Sequence, residues 1–132
     1  MTIVKAGEVK LLDRGGGVVS IPLITRHSDD TALITTGISI YPEGTGAPLH
    51  IHNCDEQVTL LEGVGEVEVA GTVTPLKSWD TTYIPAGQEH AFRNTSHDPM
   101  KILWIYPTQE VNRTLIATGE TIEHLSDRDM MS

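Results

Sequence analysis

Cysteine is nearly absent from this sequence, and its scarcity excludes two kinds of structural framework. The 132 residues contain one cysteine, Cys54. A disulfide within the chain needs two cysteines and a four-cysteine zinc site needs four, so neither can form. A single thiol is in keeping with a reducing compartment.

Basic residues and long apolar runs are also scarce. Nine Lys and Arg stand against 18 Asp and Glu, which gives a formal net charge of −9. Binding to phosphates or to anionic lipid needs clustered Lys and Arg, so neither partner is expected. No stretch approaches the ~20 apolar residues of a membrane span, and the N-terminus has no signal-peptide run. These absences predict a soluble cytoplasmic protein with no nucleic-acid and no membrane partner.

What the sequence does contain is typical of a turn-rich β protein. Twelve glycines and seven prolines are spread along the chain, with short β-branched segments between them. We therefore predict one all-β domain over residues 1–132, a sandwich or barrel. The predicted strands cover residues 18–25, 31–41, 48–52, 56–61, 66–70, 72–79, 81–84, 90–94 and 101–106. Only residues 110–131 could host a helical turn, and their apolar residues lack a clean helical period.

Two segments concentrate residue types that bind metal ions. His50 and His52 lie two apart on a predicted strand, so both imidazoles point to the same face. Glu56 follows near the start of the next strand. His90 belongs to a separate strand and converges with the others only if the sheet closes on itself. Each residue alone would be read as a surface histidine or a solvated acid, but together at this spacing they indicate a site.

Three neutral nitrogens and one carboxylate suit a borderline divalent ion: Fe, Mn, Ni, Co, Zn or Cu. Four protein ligands leave two positions open on an ion that prefers six-coordination. A catalytic metal uses open positions of that kind for substrate or water.

The sequence resembles a small single-domain cupin. The first cupin motif, which runs from residue 44 to 63, is matched at every fixed position, namely Gly44, His50, His52, Glu56 and Gly63. The second motif, at residues 79–94, is matched at Pro85, Gly87, His90 and Asn94. It departs at its leading position, where Trp79 stands in place of a glycine that serves a turn.

This resemblance implies a double-stranded β-helix, a jelly-roll barrel of two antiparallel sheets with the metal inside. It implies that His50, His52, Glu56 and His90 are the metal ligands. Gly63 would lie in a hairpin turn, and Pro85 and Gly87 in the turn that aims His90.

Several nearby residues compete for a role in the site. Gln57 follows Glu56, but the two point to opposite faces of a strand, and the spacing to Gly63 favours Glu56. Cys54 is soft enough to bind a metal, although a loop bystander is the preferred interpretation. The histidines outside the motifs are interpreted as exposed loop residues: His27, His97 and His124.

Three aromatic residues are candidates for the pocket wall. Phe92 lies two residues past His90 and shares its inward face, as pocket wall or as plain core. Trp104 and Tyr106 alternate with Lys101, which should face water, so both should face the barrel interior. They could shape a substrate cavity or simply fill it.

The reaction is not fixed by these residues, and no catalytic residue is assigned. The favoured hypothesis is a metal-dependent enzyme acting on a small polar or carboxylated metabolite, of dioxygenase, isomerase, decarboxylase or lyase type. The alternatives are a non-catalytic module that binds or senses a small ligand, and a structural or partner-binding domain. A homodimer is expected, with residues 18–25 pairing with the sheet of another subunit.

Overall fold

The computed structural model describes residues 1–131, and these residues form an almost purely β structure. A single 3-10 turn over Ala6–Glu8 is followed by strands only. The strands, β1 to β12 in chain order, are Leu12–Asp13, Val19–Pro22, Thr35–Tyr41, His50–His52, Glu56–Glu62, Val64–Val69, Thr72–Lys77, Thr81–Ile84, His90–Asn94, Met100–Tyr106, Asn112–Leu115 and Thr121–Glu123.

The strands form two six-stranded sheets in which every pairing is antiparallel. The first sheet has the order β1-β2-β3-β10-β5-β8, and the second has the order β12-β11-β4-β9-β6-β7. From β3 to β11 the chain passes from one sheet to the other at every step except β6 to β7, so that β4 and β5, for example, lie in different sheets. This exchange between sheets is the jelly-roll arrangement that the sequence predicted.

Alternating burial along the strands places the core between the two sheets. In β10 the side chains of Met100, Ile102, Trp104 and Tyr106 are buried, while the intervening side chains are only partly buried. The period of two predicted this orientation from Lys101. In β6, Val67 is buried in the same core, and Glu66 on the other face pairs with Arg93.

The turns follow the motif glycines, including the position where glycine is replaced. Gly63 and Gly87 both have positive φ, at 93° and 77°, in the turns where the resemblance placed them. Trp79 also adopts a φ of 77°, and its backbone N–H donates to the carbonyl of Leu60 at 2.6 Å. The turn shape is therefore retained, and the tryptophan carries the strain of a left-handed backbone.

Two expectations about the chain ends need comment. The helical turn considered for residues 110–131 is wrong, because β11 and β12 form there. β11 pairs with β4 and so joins the second sheet, which outweighs local preference. The predicted dimer contact of residues 18–25 stays a prediction, although β1 covers β2 at Val19 and Ser20.

Membrane insertion through a helix has no support in the fold. Within residues 1–131, no helical segment has both the length and the apolar character that crossing a bilayer would need.

The strained turn generates the first prediction. Trp79 is 82 % exposed, so its replacement removes little packing. A left-handed φ costs an L-residue about 1–2 kcal/mol. Glycine avoids this cost, but part of the gain in stability is lost because glycine raises the conformational entropy of the unfolded chain. We expect the free energy of unfolding of Trp79→Gly to exceed that of Trp79→Ala by about 1 kcal/mol in urea titrations.

The matched control is the exposed neighbour Ser78, whose φ is not positive. There the order should reverse, with Ser78→Ala more stable than Ser78→Gly. A Trp79→Ala variant as stable as Trp79→Gly would mean that the turn carries no strain.

Candidate metal centre

The topology brings the four predicted ligand residues to one point between the sheets. His50 and His52 lie at the two ends of β4 and point inward together. His90 opens β9 and is directly paired with His50 in the second sheet. Glu56 opens β5 in the first sheet, which faces them. All four residues are at most 5 % exposed.

Their donor atoms face one another at short range. His50 Nε2 lies 3.1 Å from His52 Nε2, and His90 Nε2 lies 3.1 Å from Glu56 Oε1. His52 Nε2 is 3.7 Å from the same carboxylate oxygen. One ring nitrogen from each of the three histidines lies within 4.8 Å of the corresponding nitrogens of the other two.

The opposite side of each imidazole is fixed by the backbone. Nδ1 of His50 lies 2.6 Å from the carbonyl oxygen of Pro48, and Nδ1 of His52 lies 3.0 Å from that of Asn112. Nδ1 of His90 lies 2.8 Å from the carbonyl oxygen of Gln88. A carbonyl only accepts, so each Nδ1 carries a proton, and the Nε2 atom of each ring is the one that faces the centre.

This arrangement requires a positive charge at the centre. Two Nε2 lone pairs at 3.1 Å repel each other, and so do a lone pair and a carboxylate oxygen. A proton or a metal cation between them removes the repulsion. Backbone acceptors on the far side of ligating imidazoles are the usual means by which proteins orient such ligands.

The ionisation of the side chains supports metal binding at neutral pH. Burial lowers the pKa of His50 well below its ordinary value and also lowers that of His52, so both rings are neutral. Burial alone raises the pKa of Glu56, but a hydrogen bond from His90 and positive charge on His52 or His90 lower it below its ordinary value, and a cation at the centre would act in the same way. Glu56 is therefore a carboxylate.

The three predicted aromatic residues line the cavity that contains the centre. Phe92, Trp104 and Tyr106 are each less than 5 % exposed and contribute to its wall. The volume is about 30 Å³, which accommodates about one water molecule. Trp104 reaches inward because Gly37 lies opposite, where a Cβ would come within 2.2 Å of Trp104 Cη2.

The residues that sequence reasoning set aside are mostly distant from the centre. Gln57 is exposed and Glu56 is buried, so Glu56 is the residue of this pair that points inward. Cys54 is half-buried, and burial raises its pKa to about 11, which leaves it a neutral thiol. His27 and His97 are exposed, as expected.

His124 is the exception, and its assignment to an exposed loop is wrong. Its ring centroid lies 4.9 Å from that of Trp104 and 5.0 Å from that of Tyr106, on the cavity wall. β12 ends at Glu123 and delivers the next residue to the barrel interior. Only the strand that was missed could have indicated this placement. On its other side, His124 borders an open pocket of about 660 Å³.

Two buried arginines were also missed. Arg14 and Arg113 are at most 2 % exposed and line the same cavity. Arg113 is the strand partner of His52, so its side chain shares the inward face of the sheet. No local sequence signal distinguishes these arginines from solvated ones, because their partner, Asp129, is distant in the sequence.

The half-buried position of His124 on the cavity wall leads to a pH prediction for the metal-free protein. Burial lowers the pKa of His124 well below the value of about 6.5 expected in the unfolded chain. The unfolded state then binds more protons, so stability is full above pH 6.5 and falls as the pH drops below it. His124→Asn should reduce this slope by up to about 1.4 kcal/mol per pH unit, measured by urea unfolding in EDTA between pH 7 and pH 5.

The control His97→Asn should keep the parent slope. An unchanged slope in His124→Asn would contradict the account.

The chain is similar to known proteins in both sequence and fold. A family model described as a cupin domain matches residues 37–106, more than half of the sequence. Auxin-binding protein 1 from Arabidopsis thaliana is 27 % identical over 77 residues. That stretch covers 52 % of this chain and 39 % of the plant protein, so the chain spans well under half of that relative.

Solved structures agree on the fold. A cupin-2 domain protein from Rhodospirillum rubrum superposes with a TM-score of 0.75 at 19 % identity, over 85 % of this chain and 78 % of that one. A predicted oxalate decarboxylase from Thermotoga maritima gives 0.68 at 19 % identity, over 82 % and 99 %. With the family model matching both motifs and these folds agreeing, the chain belongs to the cupin family.

Proposed function

We propose that this cupin is an enzyme that uses one divalent transition-metal ion, held by His50, His52, Glu56 and His90, on a small carboxylated or polar metabolite. The observation that carries the proposal is the convergence of three Nε2 lone pairs and a carboxylate on one buried point. The ordering of each ring by a backbone carbonyl supports it, because the donors are directed before an ion arrives.

The donor set fits the metal and limits its identity. Imidazole and carboxylate together suit Fe, Mn, Ni, Co, Zn and Cu, and disfavour ions that need only oxygen ligands. A bound ion of this class supplies a Lewis acid that polarises a substrate oxygen and stabilises negative charge on it.

The surrounding side chains would handle the substrate. Tyr106 Oη lies 3.3 Å from His52 Nε2, so its hydroxyl is within reach of anything bound at the centre. Burial raises the pKa of Tyr106 well above its ordinary value, which keeps the hydroxyl protonated and able to donate. Phe92 and Trp104 exclude water from the same space, and exclusion of water strengthens each polar contact there.

A cupin that binds a ligand without converting it is the competing function. The observation that favours it is the small cavity, which leaves no room for a metabolite beside an ion until a wall segment moves. The oxalate decarboxylase description of one structural neighbour favours the enzyme, and oxalate is a dicarboxylate. Neither observation names the substrate.

The metal proposal predicts the metal content of the purified protein. Protein prepared without chelator should contain close to one equivalent of a transition metal by plasma mass spectrometry. His50→Ala and His90→Ala each remove one donor, so each should lower the content about tenfold or more. Glu56→Gln should lower it as well, because the anionic ligand is lost.

Two variants serve as matched controls. His97→Ala removes an exposed histidine, and Glu62→Gln removes an exposed carboxylate from the same strand as Glu56. Both should retain the parent content. If His50→Ala and His90→Ala bind the ion as tightly as the parent, the assigned site is wrong.

Turnover separates the enzyme from the binding protein. The metal-loaded protein is incubated with a panel of small carboxylic acids, with and without oxygen, and products are followed by NMR. Conversion that is lost in His90→Ala supports the enzyme. Saturable binding of a panel member without any conversion would replace the enzyme with the ligand-binding function.

A further inference from the structure

A buried three-residue cluster lies beside the candidate metal centre and has no part in it. Arg14 Nη2 donates to Asp129 Oδ2 at 2.7 Å, and Arg14 Nε donates to the Asp129 carbonyl, also at 2.7 Å. Arg113 Nε lies 2.5 Å from Asp129 Oδ1, as an ion pair without an aligned hydrogen bond. Asp129 is completely buried. One carboxylate thus neutralises two guanidinium groups inside the barrel.

The two arginines are held in different ways. Arg14 is fixed by the barrel, since Nη1 donates to Ser20 at 2.7 Å and Ser20 bonds to Ser39. Among the described residues, every side-chain hydrogen-bond and ion-pair partner of the Arg113 guanidinium belongs to residues 129–131. These partners are Asp129, the Met130 carbonyl and, at 3.5 Å, the Met131 sulfur. A thioether is a weak acceptor for a buried cation.

Residues 125–131, here named the 125–131 segment, are held to the barrel by these arginines and by the packing of Leu125 and Met131 against the apolar core. Its backbone is also bonded to the barrel, because the Met131 N–H donates to the Arg14 carbonyl and the Ser126 N–H donates to the Glu123 carbonyl. Arg128 pairs with Glu120 at the surface. Met131 contributes to the wall of the cavity that contains the metal ligands. The segment therefore forms part of the cavity wall, and its buried ionic contacts with the barrel all run through one carboxylate, that of Asp129.

The chemistry of the pair points to a ligand. A guanidinium is always charged and offers paired donors in a plane that matches a carboxylate. Removing Asp129 from its place would leave two buried guanidinium groups beside His52 with only Ser20 as a side-chain acceptor. A bound carboxylate would neutralise them in the way Asp129 does.

We infer that Arg14 and Arg113 form a carboxylate-binding subsite beside the candidate metal centre, with Asp129 as an internal ligand that a substrate carboxylate displaces. Displacement would release the 125–131 segment and open the cavity. The identification of this ligand as the substrate rests on the proposed function, but the subsite itself does not require a metal.

Asp129→Asn tests the subsite in protein stripped of metal with EDTA. It removes the competing charge, so the apparent affinity for a carboxylate should rise, because the closed state no longer reduces it. By isothermal titration at low salt, malonate should bind Asp129→Asn about tenfold or more tightly than it binds the parent. Malonamide, the neutral analogue, should bind neither protein. Asp129→Asn combined with Arg113→Gln should lose the gain.

The matched control is Asp127→Asn, which removes the same charge from an exposed position of the same segment. It should bind malonate as the parent does. A folded Asp129→Asn with no gain over Asp127→Asn would mean that the cluster merely anchors the segment, and the subsite would be rejected.

Should Asp129→Asn fail to fold, hydrogen exchange of the parent decides. Malonate, but not malonamide, should speed amide exchange across residues 125–131, and unchanged exchange overturns the subsite. These results are independent of the metal. If the metal proposal is wrong, malonate should still bind to the metal-free protein. If the subsite is wrong, the parent should still contain its metal ion.

Discussion

The structure depends on the demand for positive charge at one buried point where the two sheets face each other. Three imidazoles turn their Nε2 atoms to that point, and the Glu56 carboxylate adds a negative charge from the facing sheet. In an apolar interior this set repels itself unless a cation lies within it. Backbone carbonyls hold each ring in that orientation, so the repulsion cannot be relieved by ring rotation.

The jelly-roll topology explains why distant residues meet there. β4 and β9 are neighbours in one sheet, which sets His50 directly beside His90 although 40 positions separate them. β5 starts in the other sheet and carries Glu56 across the barrel. The surrounding aromatic side chains leave space for about one water molecule. The wall of this cavity includes His124 and Met131, and Met131 belongs to the segment that the proposed carboxylate subsite would release.

Local patterning was sufficient to predict most of the strands and the inward direction of the candidate ligand residues. The period of two in β4 and β5 sets the direction of His52 and Glu56 and turns Gln57 to solvent. Even the substitution at Trp79 leaves the turn intact, because backbone hydrogen bonds outweigh the preference of a single residue. The histidines that converge from different strands required the family resemblance, since spacing alone does not establish that a sheet closes.

What the sequence could not predict arises from tertiary contacts with no local signature. Arg14 and Asp129 are 115 residues apart, and burial of either is tolerated only because the other is present. His124 was misplaced because β12 was not recognised, and a three-residue strand has too short a pattern to identify. Both errors concern the segments that close the barrel, where the neighbours of a residue decide its environment.

Crystals grown with zinc and measured at the zinc absorption edge test the central claim most directly. The account predicts one strong anomalous peak inside the barrel, about 2.1 Å from Nε2 of His50, His52 and His90 and at a similar distance from a Glu56 oxygen. A peak bound to other residues, or no peak in a barrel whose four side chains remain together, would contradict it.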